Sequence, residues 1–276
     1  MPLPPNALVI TTAGINCDQE LARAFELAGA MPHFVHLNEL LAQPERIDDF
    51  DLIGLPGGFS YGDAVAAGRI AAHLMRRALY PAFVRAIERG TPVIAPCNGF
   101  QMAVQMGLLP GPEHGQPWPD DPPRPTLALS NNASARFIDR WCRMEIPSHT
   151  RCIWTRDIDS LNENSALLPI AHGEGRFVPE SNQLIDRLES AGQIAIRYAD
   201  DDNPNGSTAN IAGICDATGL ILGLMPHPER FTQWTRHPWW TRLTDQQLHE
   251  EPLGLRMFRN AVAYVESAVH AVGSRR

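Results

Sequence analysis

The sequence predicts an α/β protein: an open, mixed, mainly parallel sheet with helices on both faces, a flavodoxin-like arrangement, and a small antiparallel extension. Three observations predict it. Over the first 106 residues short β-branched runs alternate with helical patterns, which asks for parallel strands joined by helical crossovers. Beyond residue 134 the strand-like pieces follow one another without long helices between them, the habit of antiparallel pairing. The chain of 276 residues, 44% hydrophobic and 20% charged, is long enough for a substantial core, and residues 1–276 are read as one domain.

Residues 7–12 (ALVITT) form a compact apolar run and the first expected strand; a turn at Gly14 leads to a helical pattern over 18–28 that closes at Gly29. Residues 32–37 and 50–55 (FDLIGL) read as the next strands, the latter ending in the sharp turn Pro56-Gly57-Gly58. One long helix is expected over 64–89, a short strand over 92–95 and an amphipathic helix over 99–106. The segment 111–125 (GPEHGQPWPDDPPRP) is too rich in proline for regular structure and is expected as an exposed loop. Strands are expected over 135–146, 170–178, 194–198, 211–215 and 220–225, and a last helix over 253–272.

Lys+Arg 23 against Asp+Glu 31 gives a net charge of −8, so no nucleic-acid partner and no anionic membrane are expected. The five cysteines, Cys17, Cys97, Cys142, Cys152 and Cys215, are odd in number and lack paired close spacing. That argues against a disulfide framework or a zinc knuckle and for a reducing compartment. The opening MPLPPNALVITTAG has no basic segment and too short an apolar stretch for a signal sequence, and no run approaches the roughly 18 apolar residues of a membrane span. The expected location is the cytoplasm.

Cys97 stands where the strand TPVIAP turns abruptly into a helix beginning NGFQ. A nucleophile profits from that position: the turn exposes the side chain above the sheet edge, and the helix N-terminus lowers a thiol pKa and offers N–H groups to an oxyanion. A lone cysteine after an apolar strand is more often a core residue, so the reading needs a base. Met225-Pro226-His227-Pro228-Glu229-Arg230 supplies one, because prolines that hold the chain extended would put His227 and Glu229 on one face. The competing reading is a solvated surface turn. Pro56-Gly57-Gly58-Phe59-Ser60-Tyr61-Gly62-Asp63 follows a parallel strand and so emerges at the same sheet edge as Cys97; it matches no phosphate-loop pattern. His172-Gly173-Glu174-Gly175-Arg176 is a second His/Glu cluster that could join His227 and Glu229 on a metal, but glycines around it favour presenting backbone to a ligand, and no metal is expected. Asn203-Pro204-Asn205-Gly206-Ser207 reads as a turn, and Trp239-Trp240 as either a partner surface or core.

Taken together and in order, PGGFSYGD, CNGFQ, AHGEGRF, NPNGS and MPHPER, preceded by GINCDQELARAFELAGA, resemble the class I glutamine amidotransferases, specifically the glutaminase subunits of phosphoribosylformylglycinamidine synthase. The resemblance covers nearly the whole chain. It implies a catalytic triad of Cys97, His227 and Glu229, oxyanion donors at the backbone N–H groups of Gly58 and Asn98, and a glutamine pocket lined by Ser60, Gln101, Gly173 and Glu174. It further implies hydrolysis of glutamine through a Cys97 thioester and delivery of ammonia to a large synthetase subunit of de novo purine biosynthesis, with room for a small bridging subunit. No cofactor is implied in this chain; ATP and Mg²⁺ are expected on the synthetase. The alternatives are a glutaminase subunit of another synthetase and a non-catalytic binding protein on the same fold. Two departures stand out: Ala95-Pro96 precede Cys97 where the family has Gly and Ile or Val, which implies a differently shaped turn, and 111–125 and 232–252 are longer than a typical member needs.

Overall fold

The structure, a computed structural model, describes residues 3–158, 161–162 and 164–273, with side chains as far as residue 268. The first half runs β1 (Asn6–Thr11), α1 (Asp18–Ala28), β2 (Met31–His36), α2 (Leu37–Ala42), β3 (Leu52–Gly54), α3 (Arg69–Ala78), α4 (Tyr80–Glu88), β4 (Val93–Pro96) and α5 (Asn98–Met106). The second half runs β5 (Leu127–Asn131), β6 (Ile138–Glu145), β7 (Leu167–His172), β8 (Glu174–Pro179), α6 (Asn182–Ser190), β9 (Ile194–Tyr198), β10 (Ile211–Cys215), β11 (Ile221–Leu224), α7 (Asp245–His249) and α8 (Leu253–Gly273). Gly29 closes α1 in the left-handed region at φ 103°, the conformation glycine adopts without strain.

Nine strands form one sheet in the order β2-β1-β3-β4-β11-β10-β9-β6-β7, and β5 pairs with β8 in a separate antiparallel ribbon. From β2 to β11 every pairing is parallel; from β11 to β7 every pairing is antiparallel, so only β10 and β6 run against the common direction. Helices cover both faces. Gly54 of β3 faces Leu21 and Phe25 of α1, whereas Gly223 of β11 faces Phe100 of α5. The register pairs Gly54 and Leu222 with Ile94, so with side chains alternating by two, Gly223 lies on the opposite face to Gly54. One contiguous apolar cluster runs through both halves of the sheet.

Three expectations are corrected. The helix expected over 64–89 is two, α3 and α4, because Pro81 in the first turn of α4 has no N–H to carry a helix through and disfavours helical backbone before it. Residues 60–68 ahead of them form turns in which Tyr61, Gly62, Asp63 and Gly68 take positive φ. The strand expected over 170–178 is also two: Gly173 separates β7, in the large sheet, from β8, in the ribbon. A nine-residue helix, α6, stands between β8 and β9 where no helix was expected. The 111–125 segment carries no helix or strand, as its prolines require.

Candidate active site

The parallel strands β3, β4 and β11 are neighbours and end at one sheet edge, and the turn after each brings in part of the site. Cys97 follows β4 at φ 51°, ψ −109°, a sparsely populated conformation for a residue with a Cβ, held by its N–H donating to Leu224 O at 2.7 Å. Pro96 does not abolish the tight turn; it occupies the last position of β4, opposite Leu224. Gly99 lets α5 start against β3, since a Cβ there would stand 2.0 Å from Leu55 O. α5 thus points its positive end at Cys97.

After β11 the chain turns through Pro228–Arg230 as a 3-10 helix, not an extended segment, and this turn carries Glu229 back beneath His227. His227 Nδ1 and Glu229 Oε1 are 2.7 Å apart, with 1% and 0% of the side chains exposed. Burial works against a charged His227, but the Glu229 carboxylate, then Cys97, outweigh it and hold the imidazole well above its usual pKa. The surface-turn reading is excluded. Gly57 ties the parts together: a Cβ on it would lie 2.8 Å from His227 Cε1, 3.3 Å from Cys17 Sγ and 3.4 Å from Cys97 Cβ. Gly58 beside it takes φ 137° and presses on Asn16 N, which a Cβ would approach to 2.7 Å.

A hydrogen-bonded network forms the adjoining wall. Asn98 Oδ1 accepts from Ser60 N at 3.2 Å, and Asn98 Nδ2 donates to Gln101 Oε1 at 2.9 Å and Asp63 Oδ1 at 3.2 Å. Gln101 Nε2 donates to Glu174 O, and Glu174 Oε2 accepts from Ala67 N at 3.2 Å. Burial, with a smaller push from Glu174, raises the Asp63 carboxyl against the hydrogen bonds from Gly68 and Asn98. The Gly173-Glu174 corner is placed by Gly173 O accepting from Asn132 N at 2.9 Å. Asn205 of the NPNGS turn braces it from behind, donating to Gly175 O at 2.9 Å. Cys97 Sγ lies 3.7 Å from Ala171 O, so the end of β7 closes the other side. Every residue expected at the site lies on this edge.

Among the described residues, His172 and Glu174 are not grouped with the ligand atoms of His227 and Glu229. His172 Nδ1 is held 3.0 Å from Asn132 Oδ1, and burial, then His227, push its pKa down to about 4. Missed by sequence reasoning were Asp63, Asn132 and Cys17. Asp63 closes the PGGFSYGD motif and Cys17 lies in the GINCDQELARAFELAGA stretch, whereas nothing in the sequence marks Asn132, which long-range folding alone brings in. Trp239 and Trp240 are 42% and 41% exposed; Trp239 meets His237 edge-to-face with ring centroids 4.9 Å apart and donates through Nε1 to Asn164 Oδ1 at 3.1 Å. Ser60 Oγ, His227 Nε2 and Glu229 Oε2 are buried polar atoms with no hydrogen-bond partner among the described residues. Buried polar atoms left without partners at one sheet edge are atoms a polar ligand can satisfy.

A cysteine on a strand-to-helix turn beside a buried histidine–carboxylate pair, on an α/β sheet, is the constellation of thiol-dependent acyl transfer. Residues 4–265 match the family model of the CobB/CobQ-like glutamine amidotransferase domain. The phosphoribosylformylglycinamidine synthase subunit PurQ of Dehalococcoides mccartyi is 41% identical over 267 residues, 93% of this chain and 96% of the relative. That of Treponema denticola is 39% identical, over 95% and 99%. Among solved structures, the chain matched in PurLQS from Thermotoga maritima superposes with a TM-score of 0.69 at 31% identity, covering 95% of this chain and 99% of that one. The chain therefore belongs to the glutamine amidotransferase family and, within it, to the PurQ subunits of phosphoribosylformylglycinamidine synthase. Among the described residues no helix is long and apolar enough to cross a membrane.

Proposed function

We propose that this chain is the glutaminase subunit of a phosphoribosylformylglycinamidine synthase in de novo purine biosynthesis, releasing ammonia from L-glutamine at Cys97 for a large synthetase subunit. The observation that carries the chemistry is the buried His227–Glu229 pair packed with Cys97 around Gly57. His227 takes the Cys97 proton; the sulfur adds to the side-chain amide carbon of glutamine, and the oxyanion is received by the N–H groups of Gly58 and Asn98. Asn98 is the first residue of α5, where an N–H has no partner within the helix. His227 then gives its proton to the departing nitrogen, ammonia leaves, and a γ-glutamyl thioester remains. Water, deprotonated by His227, adds to the thioester; the C–S bond breaks, releasing glutamate and restoring the thiol. Glu229 stabilises the imidazolium in both halves of the cycle.

Ser60, Gln101, Gly173 and Glu174 line the pocket for the amino-acid end of glutamine, and their shared network with Asn98 supports that assignment. The chain works as one domain, as its single apolar cluster suggests. It needs no cofactor of its own, while ATP and Mg²⁺ act on the synthetase. It operates in the cytoplasm, a compartment suited to its five free cysteines.

The test is Cys97→Ala in the reconstituted complex with formylglycinamide ribonucleotide, ATP and Mg²⁺. Glutamine-dependent amidine formation should fall by at least about 10³-fold, while ammonia-dependent formation persists. Equal loss of both activities would overturn the division of labour, and retained glutaminase would remove Cys97 from its role.

A further inference from the structure

Beside the histidine–carboxylate pair lies a side chain that the reaction leaves unused. Cys17, 2% exposed, precedes α1, and its sulfur accepts from Arg230 Nη2 at 3.1 Å. One ligand atom each from Cys17, His227 and Glu229 lie within 4.8 Å of one another. A sulfur, an imidazole nitrogen and a carboxylate oxygen are the donor types zinc takes, and three protein ligands with a fourth exchangeable position make an open zinc site. With metal–ligand bonds of about 2.0–2.3 Å, tetrahedral ligands stand roughly 3.3–3.8 Å apart. His227 Nδ1 and Glu229 Oε1, now 2.7 Å apart, need to separate by less than about an ångström to admit the ion.

We infer that Cys17 Sγ, His227 Nδ1 and a Glu229 oxygen form an inhibitory site for zinc, distinct from the nucleophile. Binding releases the Cys17 thiol proton and the Nδ1 proton of His227 to solvent. The Arg230 guanidinium yields the sulfur and keeps Glu20, whose Oε1 is 3.7 Å from Arg230 Nε. Metal on Nδ1 leaves the remaining imidazole proton on Nε2 and takes Glu229 from the ring. His227 then cannot accept a proton from Cys97. The inhibition, though not the binding, rests on the glutaminase reading above.

The experiment titrates Zn²⁺ into the full chain against a chromophoric chelator, with Co²⁺ as a spectroscopic probe of thiolate ligation. Wild type should take up one ion with a sulfur-to-cobalt band. Cys17→Ser, and Cys17→Ala as a second variant, should bind at least ten-fold more weakly and lose the band, whereas Cys97→Ser keeps both. In the complex with its synthetase, Zn²⁺ should suppress glutamine-dependent but not ammonia-dependent turnover, and Cys17→Ser should raise the half-inhibiting concentration at least ten-fold. Undiminished binding by both Cys17 variants, loss of binding in Cys97→Ser, or no binding by wild type overturns the site. If the metal binds as described but glutamine turnover proves absent without it, the site stands and the glutaminase reading fails.

Discussion

The parallel half of the sheet and the antiparallel half contribute to the site in different ways. In the parallel half each strand ends at the same edge, so the turns after β3, β4 and β11 deliver Gly57 and Gly58, Cys97, and His227 with Glu229 within reach of one another. In the antiparallel half strand ends alternate between edges, and the β7–β8 corner, with His172, Gly173 and Glu174, arrives there, braced by Asn205 of the turn after β9. In the proposed reaction the parallel half therefore carries the reacting groups and the antiparallel half a wall. Strain and charge follow this division: the positive φ of Cys97 and the His227–Glu229 ion pair are in the first, and a histidine held neutral by burial is in the second.

The largest effect that separates the halves is expected from Glu229→Gln. Glu229 raises the His227 pKa, so its removal lowers it and shortens the pH range over which a protonated His227 can serve the leaving ammonia. Glutaminase kcat/KM should fall by roughly 10³–10⁴-fold, in line with losses of the third member of comparable triads. The alkaline limb of its pH profile should move toward neutrality. An unmoved limb, with kcat/KM preserved, would break the assignment of reacting groups to the parallel half.

In the antiparallel half the expected effect falls on stability. His172 is depressed to about 4 from an ordinary value of 6.5, so the folded state binds fewer protons than the unfolded one in between. Its neutral form favours folding fully above 6.5, and that advantage is lost as pH falls toward 4, by about 3 kcal/mol across the window. Urea unfolding at a series of pH values should show His172→Gln with a flatter acid dependence than wild type, although less stable at pH 7 for an altered contact with Asn132. Parallel curves for the two proteins would show that His172 is not the group concerned.

The same division explains what could be read from the sequence. In the parallel half β1, β3 and β4 are continuous apolar runs beside glycine or proline, so α1, α5 and the β1 and β4 segments lie within a residue or so of where the pattern puts them. The positions of Cys97, His227 and Glu229 were legible because each sits in a turn at a strand end, a place topology fixes. In the antiparallel half β7 and β8 read as one strand, since Gly173 is a weak signal for a corner at which the chain changes sheets. β5 carried too little alternation to be seen among the prolines before it. Asn132 and Cys17 meet partners 40 and 213 residues away; Cys17 stands in a recognised stretch, but no local pattern encodes either pairing.

The smallest expected effect tests the strain itself. At φ 51°, ψ −109°, any residue with a Cβ is disfavoured and glycine is not, so Cys97→Gly should be more stable than Cys97→Ala by about 1–2 kcal/mol. Cys142, buried in regular strand β6, supplies the control with opposite sign: there glycine loses backbone entropy and gains nothing, so Cys142→Gly should be less stable than Cys142→Ala by about 0.5–1 kcal/mol. Urea midpoints of the four variants at one pH decide the matter. The same sign at both positions would mean that the turn after β4 stores no strain, leaving the parallel half distinguished by the groups it gathers and not by how tightly it holds them.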